Sequence, residues 1–155
     1  MEKPTIEQFQ LTKFKTKPNG SVIASYTINL GDALVERTDI CGRLPHPDLK
    51  RVFEDATAVV SDILGIEGAD KFEVRGLALS GSGDNAAVII TSVYTTPNGM
   101  KTAINTPRIK FSGEEYDTLR AFVDKAIAES YAYLFEGKEA QLSIFGEEPE
   151  SAFND

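Results

Sequence analysis

The sequence predicts an α+β fold, an antiparallel sheet of about six strands in β-β-β-α-β-β-β-α order with two amphipathic helices on one face. Three observations predict it. Asn19-Gly20 and Asn98-Gly99 stand between runs rich in β-formers, and Asn-Gly is the strongest short hairpin signal because both residues tolerate positive φ. Two longer stretches, after Pro47 and after Ser112, space their apolar residues at the 3.6-residue period of a helix instead. Each helical stretch follows a group of strands, so a sheet covered on one face is the simplest packing.

In chain order, residues 5–17 are strand-like, with Phe9 and Leu11 alternating against Gln10 and Thr12. A two-residue turn at Asn19-Gly20 would set Lys17, Lys15 and Lys13 opposite Val22, Ala24 and Tyr26. Phe9 and Leu11 would then meet Leu30 and Ile28 in the core, leaving a lysine-bearing hairpin tip. Ala33–Ile40 forms a third strand after the Gly31-Asp32 turn. Pro47 suits a first helical position and Asp48 the positive end of a helix. From there Leu49, Val52, Phe53, Ala56, Val59, Val60 and Ile63 mark one helix, which Gly65 caps. Phe72–Ser80 and Ala86–Thr96 are strands. Val88-Ile89-Ile90 suggests that the second is central or buried on both faces. A strand from Met100 to Phe111 follows the second hairpin, with Pro107 marking an edge position or a bulge. Ser112 with Glu115 forms a capping-box signature for the last helix, which Gly137 ends.

The chain has 155 residues, 41% hydrophobic and 26% charged, which fits a single globular domain. No apolar run approaches the roughly 20 residues of a membrane span, and Met1-Glu2-Lys3-Pro4 does not open a signal peptide. Cys41 is the only cysteine, so neither a disulfide framework nor a CxxC zinc pair exists. A cytoplasmic protein is expected. The net charge of −8 is uneven, because residues 136–155 carry six acids and one base. The expected organisation is a single domain over residues 1–137 and a flexible acidic tail over 138–155. The negative balance argues against tight nonspecific duplex binding by the whole surface.

Catalytic patterns are absent or incomplete. Gly76 to Gly83 has glycines at phosphate-loop spacing but no lysine to reach a phosphate, and it joins two strands rather than a strand and a helix. His46 with Asp48 has no further metal ligand at a supporting spacing. Cys41 could act as a nucleophile only with a base nearby, and a buried structural thiol is the expectation. No cofactor or metal is expected, and the chain is read as a non-enzyme.

Lys13, Phe14, Lys15 and Lys17, with Lys101, Arg108 and Lys110 on a later strand, interleave cations with an aromatic ring. Single-strand nucleic-acid binders combine cations for phosphates with rings on which bases stack. The alternative is that edge lysines deter sheet-to-sheet aggregation and the aromatics are core. Strand-rich units followed by a helix are also similar to single-strand-binding folds of the PUR and Whirly type. That likeness is one of fold order alone.

The most distinctive stretch is Gln141-Leu142-Ser143-Ile144-Phe145, followed by Gly146-Glu147-Glu148-Pro149. It resembles the bacterial β sliding clamp-binding motif, Gln-Leu-Ser/Asp-Leu-Phe, with four positions identical and Ile144 in place of leucine. The resemblance covers five residues. It implies that Gln141 bonds at a pocket rim, Leu142 enters one subsite, Ser143 is a spacer, and Ile144 and Phe145 fill a deeper apolar cleft. The expected function is a non-enzymatic accessory role in bacterial or phage DNA replication or repair, with the sliding clamp as partner. The alternatives are single-stranded nucleic-acid binding through the sheet face, or inhibition of a host DNA-processing protein.

Overall fold

A computed structural model describes residues 3–139 of the chain. Seven strands and three helices follow in the order β1 (Phe9–Thr16), β2 (Val22–Asn29), β3 (Leu34–Cys41), α1 (Pro47–Asp55), α2 (Thr57–Leu64), β4 (Phe72–Ser80), β5 (Ala87–Thr95), β6 (Lys101–Asn105), β7 (Ile109–Lys110) and α3 (Asp117–Phe135). All paired strands are antiparallel, in the order β3-β2-β1-β4-β5-β6, with β7 also on β5. The α+β sheet with its helices on one face is the architecture expected from the hydrophobic periods.

The β1–β2 register differs from the expected one by a residue. The Lys17 amide donates to Ser21 O and Gly20 N to Lys17 O, so the loop is Pro18-Asn19-Gly20 with Gly20 at φ +88°. Phe14 therefore faces Ala24, while Lys13 and Lys15 face Ser25 and Ile23. A bulge between Leu11 and Lys13 then returns Leu11 and Phe9 to the core side, opposite Tyr26 and Ile28. Thr12 Oγ1 donates to Ser25 O across it at 2.9 Å. Leu30, expected in the core, is exposed.

Three further expectations are corrected. The helix from Pro47 is two helices, broken at Ala56, where Thr57 Oγ1 donates back to Glu54 O at 2.8 Å and bends the chain. Ser112 caps no helix: its hydroxyl donates to Asp84 O, and a 3-10 turn at Glu114–Tyr116 leads into α3. The strand Met100–Phe111 is interrupted at Pro107, so β6 and β7 pair with separate parts of β5. There the buried Thr106 keeps contact by accepting from Ile90 N and donating its own amide to Ile90 O.

The core lies between the sheet and the helices. Phe14 is 0% exposed and contacts Phe53 of α1 and Tyr133 of α3, ring centroids 6.0 Å away in each case. Phe9, Tyr26, Tyr131 and Phe135 form a second aromatic group. Beside Phe14, the strand approach admits only glycine at position 76, where a Cβ would lie 2.1 Å from Phe14 O. Phe14→Ala should lower the unfolding free energy by about 3–5 kcal/mol in urea titrations, the usual range for deleting a buried ring.

Candidate functional site

The alternation of each strand divides the sequence candidates between two faces. Lys13 and Lys15 on β1, Lys101 on β6 and Lys110 on β7 extend from the face that the helices leave open. Between them lie small or β-branched residues of β4 and β5, since Lys15 aligns with Gly76, Thr91 and Asn105, and Lys13 with Ala78 and Ile89. Neighbouring strands are spaced about 4.8 Å apart, so roughly 14 Å separates β1 from β6. Glu36 and Glu73 share this face, and Glu73 pairs with Arg75 at 2.7 Å.

Phe14 does not belong with these cations. It points the other way and is wholly buried, so no base can stack on it. Tyr26 and Phe72 are buried as well, and Tyr94 packs on Phe72 at 4.9 Å. Every aromatic residue on the seven strands is on the helix side. Lys17 is also apart, at the hairpin tip beside a cleft of about 790 Å³ floored by Leu49, Phe53 and Phe72. Arg108 and Lys110 are engaged with the turn after β4. Arg108 donates to Ser80 Oγ and Asn85 O, and Lys110 to Asn85 Oδ1.

Residues 141–145 lie outside the described residues; the chain before them is described as far as Glu139. Gly137 (φ +69°) turns the backbone out of α3. Lys138 Nζ then contacts Asp48 at 2.9 Å and Glu129 at 3.0 Å. Glu139 forms an antiparallel bridge with Pro45 and an ion pair with Arg43 at 3.0 Å. Lys138 and Glu139, expected to begin the tail, are bonded to the body.

Local chemistry explains these contacts. His46 caps α1, its Nδ1 accepting from Asp48 N at 3.0 Å, which orders the entry where Asp48 stands. The hydrogen bond from Lys138 holds the Asp48 carboxyl below the ordinary carboxylate range, helped by the charges of Lys138, His46 and Arg51. Bonds to Asp48 and Glu129 raise Lys138 in turn. Burial works against the Arg43 charge, yet hydrogen bonds to Glu139 and the Cys41 sulfur leave it raised. Arg43 also stacks 4.7 Å over the Tyr133 ring, whose hydroxyl donates to Arg43 O. Burial, with Cys41 nearby, pushes the Tyr133 phenol up to about 12.

This anchor was missed in the sequence because it joins residues 43–48 to residues 129–139. One signal was present: Lys138 is the single base among the last twenty residues. Compared with protein-family models, with curated proteins and with solved structures, the chain matches none.

The two pKa shifts bracket the anchor in pH. Asp48, depressed on folding, contributes stability above its ordinary value near 3.8 and loses it as pH falls through the folded value. Lys138, raised on folding, contributes below its ordinary value near 10.5 and loses it as pH climbs through the folded value. NMR titration should place the Asp48 midpoint below 3.8, with Lys138→Ala moving it back up. An unmoved midpoint in the variant would refute the pairing.

Proposed function

We propose that this protein is a non-enzymatic accessory factor of bacterial or phage DNA replication or repair that docks on the β sliding clamp through Gln141–Phe145. The observation that carries the reading is the pentapeptide Gln141-Leu142-Ser143-Ile144-Phe145 itself. Its position supports it: Glu139 is tied to Arg43 and Pro45 at the body's surface, and the motif begins two residues later. A short apolar peptide draws its affinity from a few anchors in a preformed pocket, less the entropy of ordering it. Micromolar binding by one copy is therefore expected.

Calorimetry with purified clamp tests this. The intact chain should bind, and a chain lacking 141–155 should not while keeping its circular dichroism. Phe145→Ala should weaken binding by about 2 kcal/mol or more if Phe145 fills the deep subsite. An intact chain that gives no heat with the clamp sinks the proposal.

A second reading, single-stranded nucleic-acid binding, is favoured by one observation: Lys13, Lys15, Lys101 and Lys110 extend from the same open face. With Phe14 buried, the contact would run to phosphates rather than to stacked bases. Oligonucleotide affinity should then fall steeply with salt and vanish on Lys13→Glu with Lys15→Glu. Absence of binding at low salt would remove this reading.

A further inference from the structure

β3 ends the sheet, and among the described residues it pairs only with β2. Its eight residues contain no proline, no lysine and no bulge, three of the devices that blunt natural sheet edges. Leu34 near one end is 68% exposed and Ile40 near the other 72%, the highest values for large apolar side chains among the described residues. The opposite edge is blunted, being interrupted at Pro107 between β6 and β7 and opened by Lys101.

Backbone phase decides which groups of β3 face outward. The Leu30 amide donates to Ala33 O at 2.9 Å, which makes 30/33 a hydrogen-bonded pair. By alternation, Ile28/Val35, Tyr26/Arg37, Ala24/Asp39 and Val22/Cys41 are hydrogen-bonded too. The N–H and C=O groups of Leu34, Glu36, Thr38 and Ile40 therefore point away from β2, with no backbone partner among the described residues.

An open edge is completed by a copy of itself when its residues match under a two-fold axis. With the axis at Arg37, an antiparallel ladder sets Leu34 against Ile40 and Glu36 against Thr38, and symmetry repeats each pair. These are the residues whose backbone groups face out, so every one of these pairs exchanges two hydrogen bonds. On the open face the two most exposed apolar side chains cover each other, once on either side of the axis. On the helix face the two copies of Arg37 meet at the axis, with Val35 opposite Asp39 beside them. Each arginine already pairs with its own Asp39 at 3.5 Å, and its diagonal neighbour is the Asp39 of the second copy. Both arginines thus lie between two aspartates, and the four charges sum to zero. Neighbouring registers fit less well. An axis at Thr38 sets Glu36 against Ile40 and Leu34 against Gly42, and one at Glu36 sets that carboxylate against itself.

We infer that a second copy of this chain binds along β3, joining the two sheets into one through a two-fold antiparallel ladder centred on Arg37. The axis stands perpendicular to the sheet, so the helices of both copies share one side and the open faces the other. Lys13 and Lys15 of both copies then belong to one surface, with the two β1 strands roughly 24 Å apart across five strand spacings. The interface is one strand wide, so association is reversible, with a Kd on the order of 10 µM. Nothing in this pairing depends on clamp binding.

Sedimentation equilibrium of the full-length protein should show a monomer–dimer equilibrium in that range. Ile40→Lys should weaken it about tenfold or more, because symmetry places the new charge in the apolar pair twice. Circular dichroism should stay unchanged in this variant, since the Ile40 side chain is mostly exposed. A disulfide trap reads the register. Non-hydrogen-bonded antiparallel pairs bring Cα atoms to about 4.5 Å, within the disulfide range. In a Cys41→Ala background, Arg37→Cys should therefore form a linked dimer with oxidised glutathione, which is reduced to two thiols as the bond forms. Thr38→Cys, its two Cα atoms about 8 Å apart in this register, should link on the order of ten times more slowly. A chain still monomeric at about 500 µM, far above the expected Kd, overturns the inference. So does a dimer that Ile40→Lys leaves intact, or linking through Thr38→Cys that is as fast as through Arg37→Cys.

Discussion

Phe14 is the point on which the rest of the arrangement depends. Its ring fills the space between β1, α1 and α3, touching Phe53 and Tyr133. Its neighbours in sequence, Lys13 and Lys15, must then project from the opposite face. The fit is close on the backbone side too, because β4 approaches β1 at Gly76 with no room for a Cβ. Burial of one ring thus fixes both the core beneath the sheet and the chemical character of the face above it.

A second constraint acts at the surface. Asp48 helps start α1 and also receives Lys138, which simultaneously binds Glu129 of α3. Exposed pairs of this sort contribute little individually, because water and salt screen them. Their value here is geometric: with the Arg43–Glu139 pair they hold the last described residues, Lys138 and Glu139, against α1, α3 and the segment that enters α1. Glu139, the last described residue, lies beside Pro45 in the segment between β3 and α1.

The fold was legible where local rules act alone. Both Pro-Asn-Gly turns form, and both place glycine at positive φ, since nothing competes with that preference. The succession of strands and helices along the chain followed from the hairpins and the amphipathic helices. The bulge at Thr12 is less plain in the sequence. Phe9 and Leu11 fall on odd positions and Phe14 on an even one, and that change of parity is the trace a bulge leaves in a sequence. One parity carried through the whole strand sets Phe14 on the face away from Phe9 and Leu11. The break at Ala56 was equally hidden, because Thr57 fits a helical period while its hydroxyl competes for the backbone. Of the candidate sites, the peptide at 141–145 was visible as a motif. Its anchorage at 43–48 was not, because a contact across ninety residues leaves no periodic signal.

The sheet order also has a consequence for how the protein assembles. β1, β2 and β3 form one meander of sequence neighbours, and β4, β5 and β6 form another. The two meet only along β1–β4, through Lys13/Ala78, Phe14/Leu77 and Lys15/Gly76. Each meander closes short loops, whereas that seam closes one of about sixty residues and carries the larger entropic cost. Contacts distant in sequence generally slow folding. The seam is thus where the folding barrier is expected to concentrate, with α1 and α2, which lie between the meanders in the chain, bringing its two sides together.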